Sequence, residues 1–406
     1  MKSSLSRQTH ALFFAEPVQR AALARERFFE DGERPSGLVG EPVLQSWMRC
    51  CNLRRKPQEM VSFEAVSRSR AQRSVTRNRD LLQASNPELG HLEAALGGTD
   101  CRVLLTDAQG VIIHATEGGN ARSQPLLFAA ARVGVNIAEG HIGTNAPGIV
   151  VHTGQACTVT GPEHFFSCLA AIHCAAAPIR NIHGEVAGVL DVSVEGSAFA
   201  FDAAAVVASY ATTIENRLLL LQSSEHLVLR FQASPSLLGT PLEAMAGMDS
   251  SGHLVWLNAA ARRLTGCLEP AGIPASDVFG AAPEQLLALS RQASAHTWRL
   301  PSGLGIWICG RAPASDGTDF RHAVALPQPV VAQASASPVQ APPEVAPAPS
   351  TLQDHSLRVI ESTLAEHDGN IARAARALGV SRGMLYRRLR RSPAATAESA
   401  GPAEPR

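Results

Sequence analysis

From Asn370 to Arg391 the chain carries Arg373, Arg376, Arg382, Arg387, Arg388, Arg390 and Arg391, and no Asp or Glu. Like charges at that density repel one another unless an anion neutralises them. The planar guanidinium pairs bidentately with phosphate or with the guanine edge. The run therefore points to polyanion recognition, with double-stranded DNA as the partner. A second cluster lies upstream: His141, His152, His164, Cys168, His173 and Cys174. Imidazole and thiolate suit zinc or iron, and Cys174 with His164 as its base would suit covalent catalysis. No pair has C-x2-C spacing, and no third group completes a triad. No metal, cofactor or enzymatic role is expected. A cysteine among alanines ahead of Pro178 reads as a small core residue.

The arginines need helices to aim them. Leu357, Ile360 and Leu364 fall on one face of a first helix. Asp368-Gly369 ends it, and Asn370 is placed to cap the next. Ile371, Ala374, Ala375 and Leu378 line a short second helix. Gly379 supplies the turn and Val380 plugs the corner. Ser381 caps a third helix, whose Leu385 and Leu389 face inward. This is a helix-turn-helix. Arg382 opens the third helix, where base edges are contacted. Arg387, Arg388, Arg390 and Arg391 lie further along, placed for phosphates, with Tyr386 as a further hydrogen bonder. A protein-docking amphipathic helix is the alternative.

A Pro/Ala-rich stretch from Leu326 to Ser350 separates this tail from a large body. Repeated prolines remove N–H donors and hold the chain extended, so it reads as a semi-rigid tether. Within the body one pattern recurs: a β-run, an Asp or Asn, two residues, a Gly, and another β-run. The pairs are Asp107/Gly110, Asn181/Gly184 and Asp249/Gly252. The polar side chain bonds the turn backbone and Gly takes the positive φ. These hairpins predict antiparallel sheets with helices packed on one face, an α+β fold. Asn258 is an N-cap candidate after the third hairpin, and β-runs follow at Ala295–Leu300, Gly305–Cys309 and His322–Leu326. Between the first two hairpins and the third, Val207, Ala211, Ile214, Leu218, Leu221 and Val228 follow heptad-like spacing. They form either a seam for a twin helix in a homodimer or one amphipathic helix covering its own sheet. In the first 90 or so residues, Val43–Asn52 and the Arg-rich Ser67–Leu82 read as helices with a solvated polar face.

The 406 residues suit about three domains. Lys+Arg and Asp+Glu are both 36, so any nucleic-acid affinity must be local. The lysines are Lys2 and Lys56. Neither follows a Gly-rich turn, which excludes a phosphate-binding P-loop. The 8 Cys are too sparse for a disulfide framework. The run Ala11–Ala15 is too short for a signal segment, and no run approaches the ~20 residues of a membrane helix. The expectation is a cytoplasmic protein.

The segment G-N-I-A-R-A-A-R-A-L-G-V-S-R-G-M-L-Y-R-R-L resembles the Fis-type helix-turn-helix of bacterial enhancer-binding activators. Gly383 and Met384 stand where that family more often has Asn and Thr, so its base preference does not transfer. Gly143-Thr144-Asn145, Gly161-Pro162-Glu163-His164-Phe165, Cys174 to Ile179 and Gly188-Val189-Leu190-Asp191 resemble the GAF sensor of the acetoin/glycerol-metabolism regulator family. Ser46-Trp47-Met48-Arg49-Cys50 is similar to its N-terminal element. The resemblance implies a small-molecule effector, with Thr144, Asn145, His164 and Cys174 as ligand-binding residues. Most such regulators carry a central ATPase that remodels sigma-54 polymerase. Here the tether occupies its place, so binding alone is expected to regulate, through RNA polymerase or a related activator. The expected layout is a helical segment (1–87), a GAF-like sensor (88–200), a connecting helix (201–233), a PAS-like unit (234–326), a tether (327–350), the helix-turn-helix (351–392) and a tail (393–406). The competing reading is a DNA-independent adaptor acting through the seam helix.

Overall fold

The computed structural model describes residues 16–117, 121–292 and 294–312, together with Thr363, Asn370 and Arg373. The expected tether, the tail, the β-run His322–Leu326 and the remainder of the helix-turn-helix lie outside the described residues. The chain divides into two compact units, 1–326 and 327–406.

The first unit opens with helices: α1 (Pro17–Arg25), α2 (Glu41–Asn52), α3 (Arg68–Arg77) and α4 (Arg79–Ala95). Ser67 caps α3 by accepting the Arg70 N–H at 3.3 Å. Then come β1 (Arg102–Asp107), β2 (Ile112–Ala115), α5 (Pro125–Ala130), α6 (Glu139–Ile142), α7 (Ala146–Thr153), β3 (Cys157–Thr160), β4 (Ile172–Arg180) and β5 (Val186–Glu195). These strands form one antiparallel sheet in the order β2-β1-β5-β4-β3. After α8 (Ala203–Leu221) follow β6 (Leu227–Gln232), β7 (Ala244–Met248), β8 (Leu254–Leu257), α9 (Ala259–Thr265), α10 (Ala275–Phe279), α11 (Pro283–Ala288), β9 (His296–Arg299) and β10 (Gly305–Arg311). The second sheet runs β8-β7-β6-β10-β9, again antiparallel.

All three expected turns close hairpins, and by the expected chemistry. Asp107 Oδ1 accepts the N–H groups of Gln109 and Val111, both at 2.9 Å. Asn181 Oδ1 does the same for His183 and Glu185, and Asp249 Oδ1 for Ser251 and His253. Gly110, Gly184 and Gly252 have φ of +77, +78 and +85°, which only glycine adopts without strain. Asn258 caps α9 through the Ala261 N–H at 2.9 Å.

Helices cover both faces of the first sheet, not one. Val103 and Leu105 of β1 point into a core with α4 and α8, while Leu104 between them joins a core with α2 and α7. Alternate residues of one strand thus feed two cores, and β1 is buried throughout. Trp47 of α2 anchors the second of these layers. It is fully buried against Phe28 and Phe29, and its indole N–H donates to the Glu163 carbonyl at 2.7 Å.

Of the two readings of the heptad-like stripe, the packing among the described residues fits the helix that covers its own sheet. Val207, Ala211, Ile214 and Leu218 are 1% exposed or less, packed on the chain's own first sheet. The helix also ends at Leu221, and Val228 lies in β6. From Leu227 the burial period changes from the helical one to two: Leu229 and Phe231 enter the core of the second sheet, Val228 the opposite side. The second unit of the expected layout therefore begins at β6, its central strand, and not at 234. The end of α8 rests on that sheet: Leu219, Val228, Met245 and Trp256 form one cluster, and Trp256 donates to Ser223 Oγ at 2.9 Å. Gly247 makes room for this tryptophan, since a Cβ there would stand 2.1 Å from its Nε1. Among the described residues no helix is long and apolar enough to cross a membrane.

Core packing and a dimer seam give different outcomes for Leu218→Ala. Loss of a buried leucine should destabilise the monomer fold by about 2–5 kcal/mol, read by denaturant unfolding. A change in sedimentation with no loss of stability would instead restore the seam.

Candidate functional site

The Gly143-Thr144-Asn145 loop joins α6 to α7. Asn145 Oδ1 caps α7 by accepting the Gly148 N–H at 2.8 Å, and its amide donates to the Gly143 and Ile137 carbonyls at 2.7 and 3.0 Å. Its side chain is held by the loop itself. Thr144 is turned to α2, where its hydroxyl pairs with Ser46 Oγ at 2.7 Å. Ser46 also meets Glu139 Oε2 at 2.6 Å, and Arg49 grips both oxygens of Glu139 at 2.6 and 2.8 Å. A carboxylate only accepts, so Ser46 gives its one proton to Glu139 and Thr144 donates to Ser46. Thr144 thus fixes the N-terminal helix and does not line the cavity described next.

Asn145, His164 and Cys174 do come together, around a cavity of about 30 Å³ whose other walls include Phe63, Leu104 and Leu169. That is room for roughly two waters. His164 is set by the turn Gly161–Glu163, itself closed by Glu163 Oε2 on the Thr160 N–H at 2.7 Å. Arg25 donates to the carbonyls of Pro162, His164 and Phe165. His164 Nδ1 donates to the Gly161 carbonyl at 2.9 Å, which leaves Nε2 facing Cys174 Sγ at 3.5 Å. Burial pushes the imidazole down to about 4 and pushes the Cys174 thiol far up. At neutral pH the pair is a weakly basic neutral imidazole beside a thiol that burial keeps protonated, so the thiolate needed for attack is disfavoured.

Two residues of this site escaped the residue-by-residue reading. Asp191 of β5 is wholly buried; its Oδ2 accepts the Ser193 hydroxyl at 2.6 Å, and its Oδ1 has no partner among the described residues. Desolvation pushes its carboxyl up to about 7. The signal was an aspartate inside the apolar run G-V-L-D-V-S-V, where an acid is costly unless it is protonated or paired. Phe63 was the other. It sits on an extended strap running over the cavity, fastened by Arg132 to the Phe63 carbonyl at 2.9 Å and by the Ser167 N–H to the Pro57 carbonyl at 2.8 Å. Among the described residues no group of three His, Cys, Asp or Glu is placed to hold a metal.

Of the residues expected to face DNA, Arg373 is described: it is helical and exposed, and its N–H meets Asn370 Oδ1 at 3.2 Å. Arg376, Ser381, Arg382, Gly383, Met384, Tyr386, Arg387, Arg388, Arg390 and Arg391 lie outside the described residues.

Residues 352–391 match the family model "Bacterial regulatory protein, Fis family". Residues 17–215 match "MimR, N-terminal domain", so the chain joins a MimR-type sensor domain to a Fis-type helix-turn-helix. It is similar to the acetoin catabolism regulatory protein of Cupriavidus necator, 32% identical over 245 residues, which are 59% of this chain and 36% of that one. It is also similar to the propane 2-monooxygenase operon transcriptional activator MimR of Mycolicibacterium smegmatis, 28% identical over 180 residues, 44% of this chain and 30% of that one. The matched stretch thus spans about a third of these relatives' own length. Among solved structures, the E. coli DhaR(N)–DhaL complex aligns at 17% identity and a TM-score of 0.41, over 68% of this chain and 100% of that one.

The two titrating groups of the cavity act on stability with opposite sign. A carboxyl raised from 3.8 to about 7 makes the folded state bind the extra proton between those values, so stability falls as pH rises from about 4 to 7. A histidine lowered from 6.5 to about 4 makes stability fall as pH drops through that window. Asp191→Asn removes the first effect alone. Its unfolding free energy should exceed that of the unmodified chain by an amount that grows from pH 4 to 8, to the order of a few kcal/mol. Parallel pH profiles would mean that Asp191 is solvated.

Proposed function

We propose that the protein regulates transcription by binding double-stranded DNA through residues 351–392, and that the cavity beside Asp191 reads a small uncharged molecule. The observation that carries the DNA half is the acid-free arginine run inside the segment that matches the Fis family. The sensing half is supported by a buried Asp191 oxygen that has no partner among the described residues, at the wall of a small cavity. A protonated Asp191 both donates and accepts, which suits a hydroxyl or carbonyl compound and disfavours an anion. A ligand of more than a few atoms enters only when the Phe63 strap yields.

The two relatives named above carry acetoin and propane oxidation in their names, and acetoin is the first compound to try. The lysine distribution argues against an ATP-driven step, and the neutral His164–Cys174 pair argues against catalysis. Regulation is then by binding alone, in the cytoplasm, with RNA polymerase or a related activator as the responding partner. A palindromic site would be read by two copies of the Fis-type segment, since α8 has no free seam. The adaptor reading loses its surface for the same reason.

Genomic pull-down with the intact chain beside Arg382→Ala/Arg387→Ala tests the DNA half. A discrete sequence motif lost in the double variant, with affinity falling steeply as salt rises, is the expected result. Enrichment of no sequence in either sample would overturn it. For the sensing half, acetoin should raise the melting temperature of the intact chain and leave Asp191→Asn unmoved.

A further inference from the structure

A second concavity, separate from the cavity at Asp191, lies where α8, the end of β4 and the start of α9 meet. It measures about 420 Å³, within the range of sites for small organic molecules. Ala211, Leu219 and Trp256 give it an apolar floor, and all three are nearly fully buried. Arg180, Arg262 and Arg263 stand around it, against a single acidic lining residue, Glu215. Arg180 comes from the first sheet, Arg262 and Arg263 from α9 of the second.

These arginines differ from others in the fold. Arg49, Arg55 and Arg230 each meet a carboxylate oxygen at 2.6 to 2.7 Å. Arg180 instead donates to the Gly154 carbonyl at 2.5 Å, and Arg262 to the Leu257 carbonyl at 3.1 Å. None of the three has a carboxylate oxygen within ion-pair distance among the described residues. Each guanidinium carries five donors, so one bond to a carbonyl leaves most of them for an occupant. Glu215 is tied back, its Oε2 accepting the Arg180 backbone N–H at 2.9 Å. Burial raises its carboxyl above the usual range, opposed by its bond to the Arg180 N–H and by the charges of Arg180 and Arg262. Glu215 lies within electrostatic range of Arg180 and Arg262, yet three guanidiniums against one carboxyl leave an excess of positive charge over an apolar floor, complementary to a molecule with an anionic end and an apolar body.

We propose that this cleft is a second ligand site, taking a small organic oxyanion, carboxylate or phosphate ester, whose apolar part lies on Trp256. The occupant would bridge the two sheets. Arg262 already reaches the β4–β5 hairpin, its Nη2 lying 3.5 Å from where a Cβ on Gly184 would stand. An anion held by Arg180 and Arg262 together would tie α9 to that hairpin.

Calorimetric titration of the whole chain with benzoate, phenyl phosphate and uncharged benzyl alcohol tests this. One or both oxyanions should bind at one per chain, with benzyl alcohol silent; which of the two binds separates the carboxylate from the phosphate source. Arg262→Gln/Arg263→Gln should weaken binding about tenfold or more, as expected for lost charge-assisted hydrogen bonds. Arg263 is exposed, so Arg263→Gln alone should keep its melting temperature and still weaken binding, should the double variant fail to fold. Dissociation constants above about 10 mM for both oxyanions, equal binding of benzyl alcohol, or unchanged affinity in a folded Arg263→Gln chain would each overturn the proposal.

Discussion

A single buried carboxylate ties helix α2 to the loop that carries Thr144 and Asn145. Glu139 takes Ser46 and both donors of the Arg49 fork from α2, on a side chain that is 4% exposed. Removing one partner of such a pair typically costs about 3–5 kcal/mol, because the remaining charge stays buried. The consequences spread outward. Glu139 begins α6, whose end sets the Thr144–Asn145 loop, and Asn145 caps α7. On the other side, α2 carries Trp47 onto the Glu163 carbonyl and so steadies the turn that aims His164. One ion pair thus bears on both the turn that aims His164 and the loop that carries Asn145.

Inside that cavity the opposite principle operates. His164, Cys174 and Asp191 are all titratable, and none has a charged partner within bonding distance among the described residues. Where no counter-charge is supplied, desolvation decides, and each group is driven toward its neutral form. The cavity is thus mostly apolar, with a few hydrogen-bonding groups whose charged forms burial disfavours. The arginine cleft at α9 is built the other way, with charge kept and the acid drawn aside. The same chain presents two chemically distinct concavities, and a molecule suited to one is poorly suited to the other.

Local chemistry in the sequence was legible where a few adjacent residues determine the outcome. The three hairpins follow from Asp or Asn paired with Gly, and the caps at Asn258 and Asn370 from single side chains. Long-range facts were less legible. Val207, Ala211, Ile214 and Leu218 show helical periodicity, but periodicity does not say whose surface the stripe meets. Continuous burial of β1 and β5 on both faces hid the alternation that would have marked the second layer of helices. Of the site, His164 and Cys174 were recoverable from motifs. Thr144 was misplaced because a loop hydroxyl gives no sign of which neighbour it bonds. Asp191 was visible as an anomaly in an apolar strand, yet its unpaired oxygen depends on β1, β4 and α7 meeting around it.

The position of α8 has a consequence for how the chain can be divided. Val207, Ala211, Ile214 and Leu218 complete the core of the first sheet, while Asn216, Leu219 and the following Ser223 pack on the second. A boundary drawn before α8 strips one sheet of its cover, and a boundary drawn after it strips the other. Two fragments cannot both own the helix. Recombination that exchanges sensor modules between regulators of this build must therefore carry α8 and both sheets as one heritable block, with the natural joint lying beyond β10.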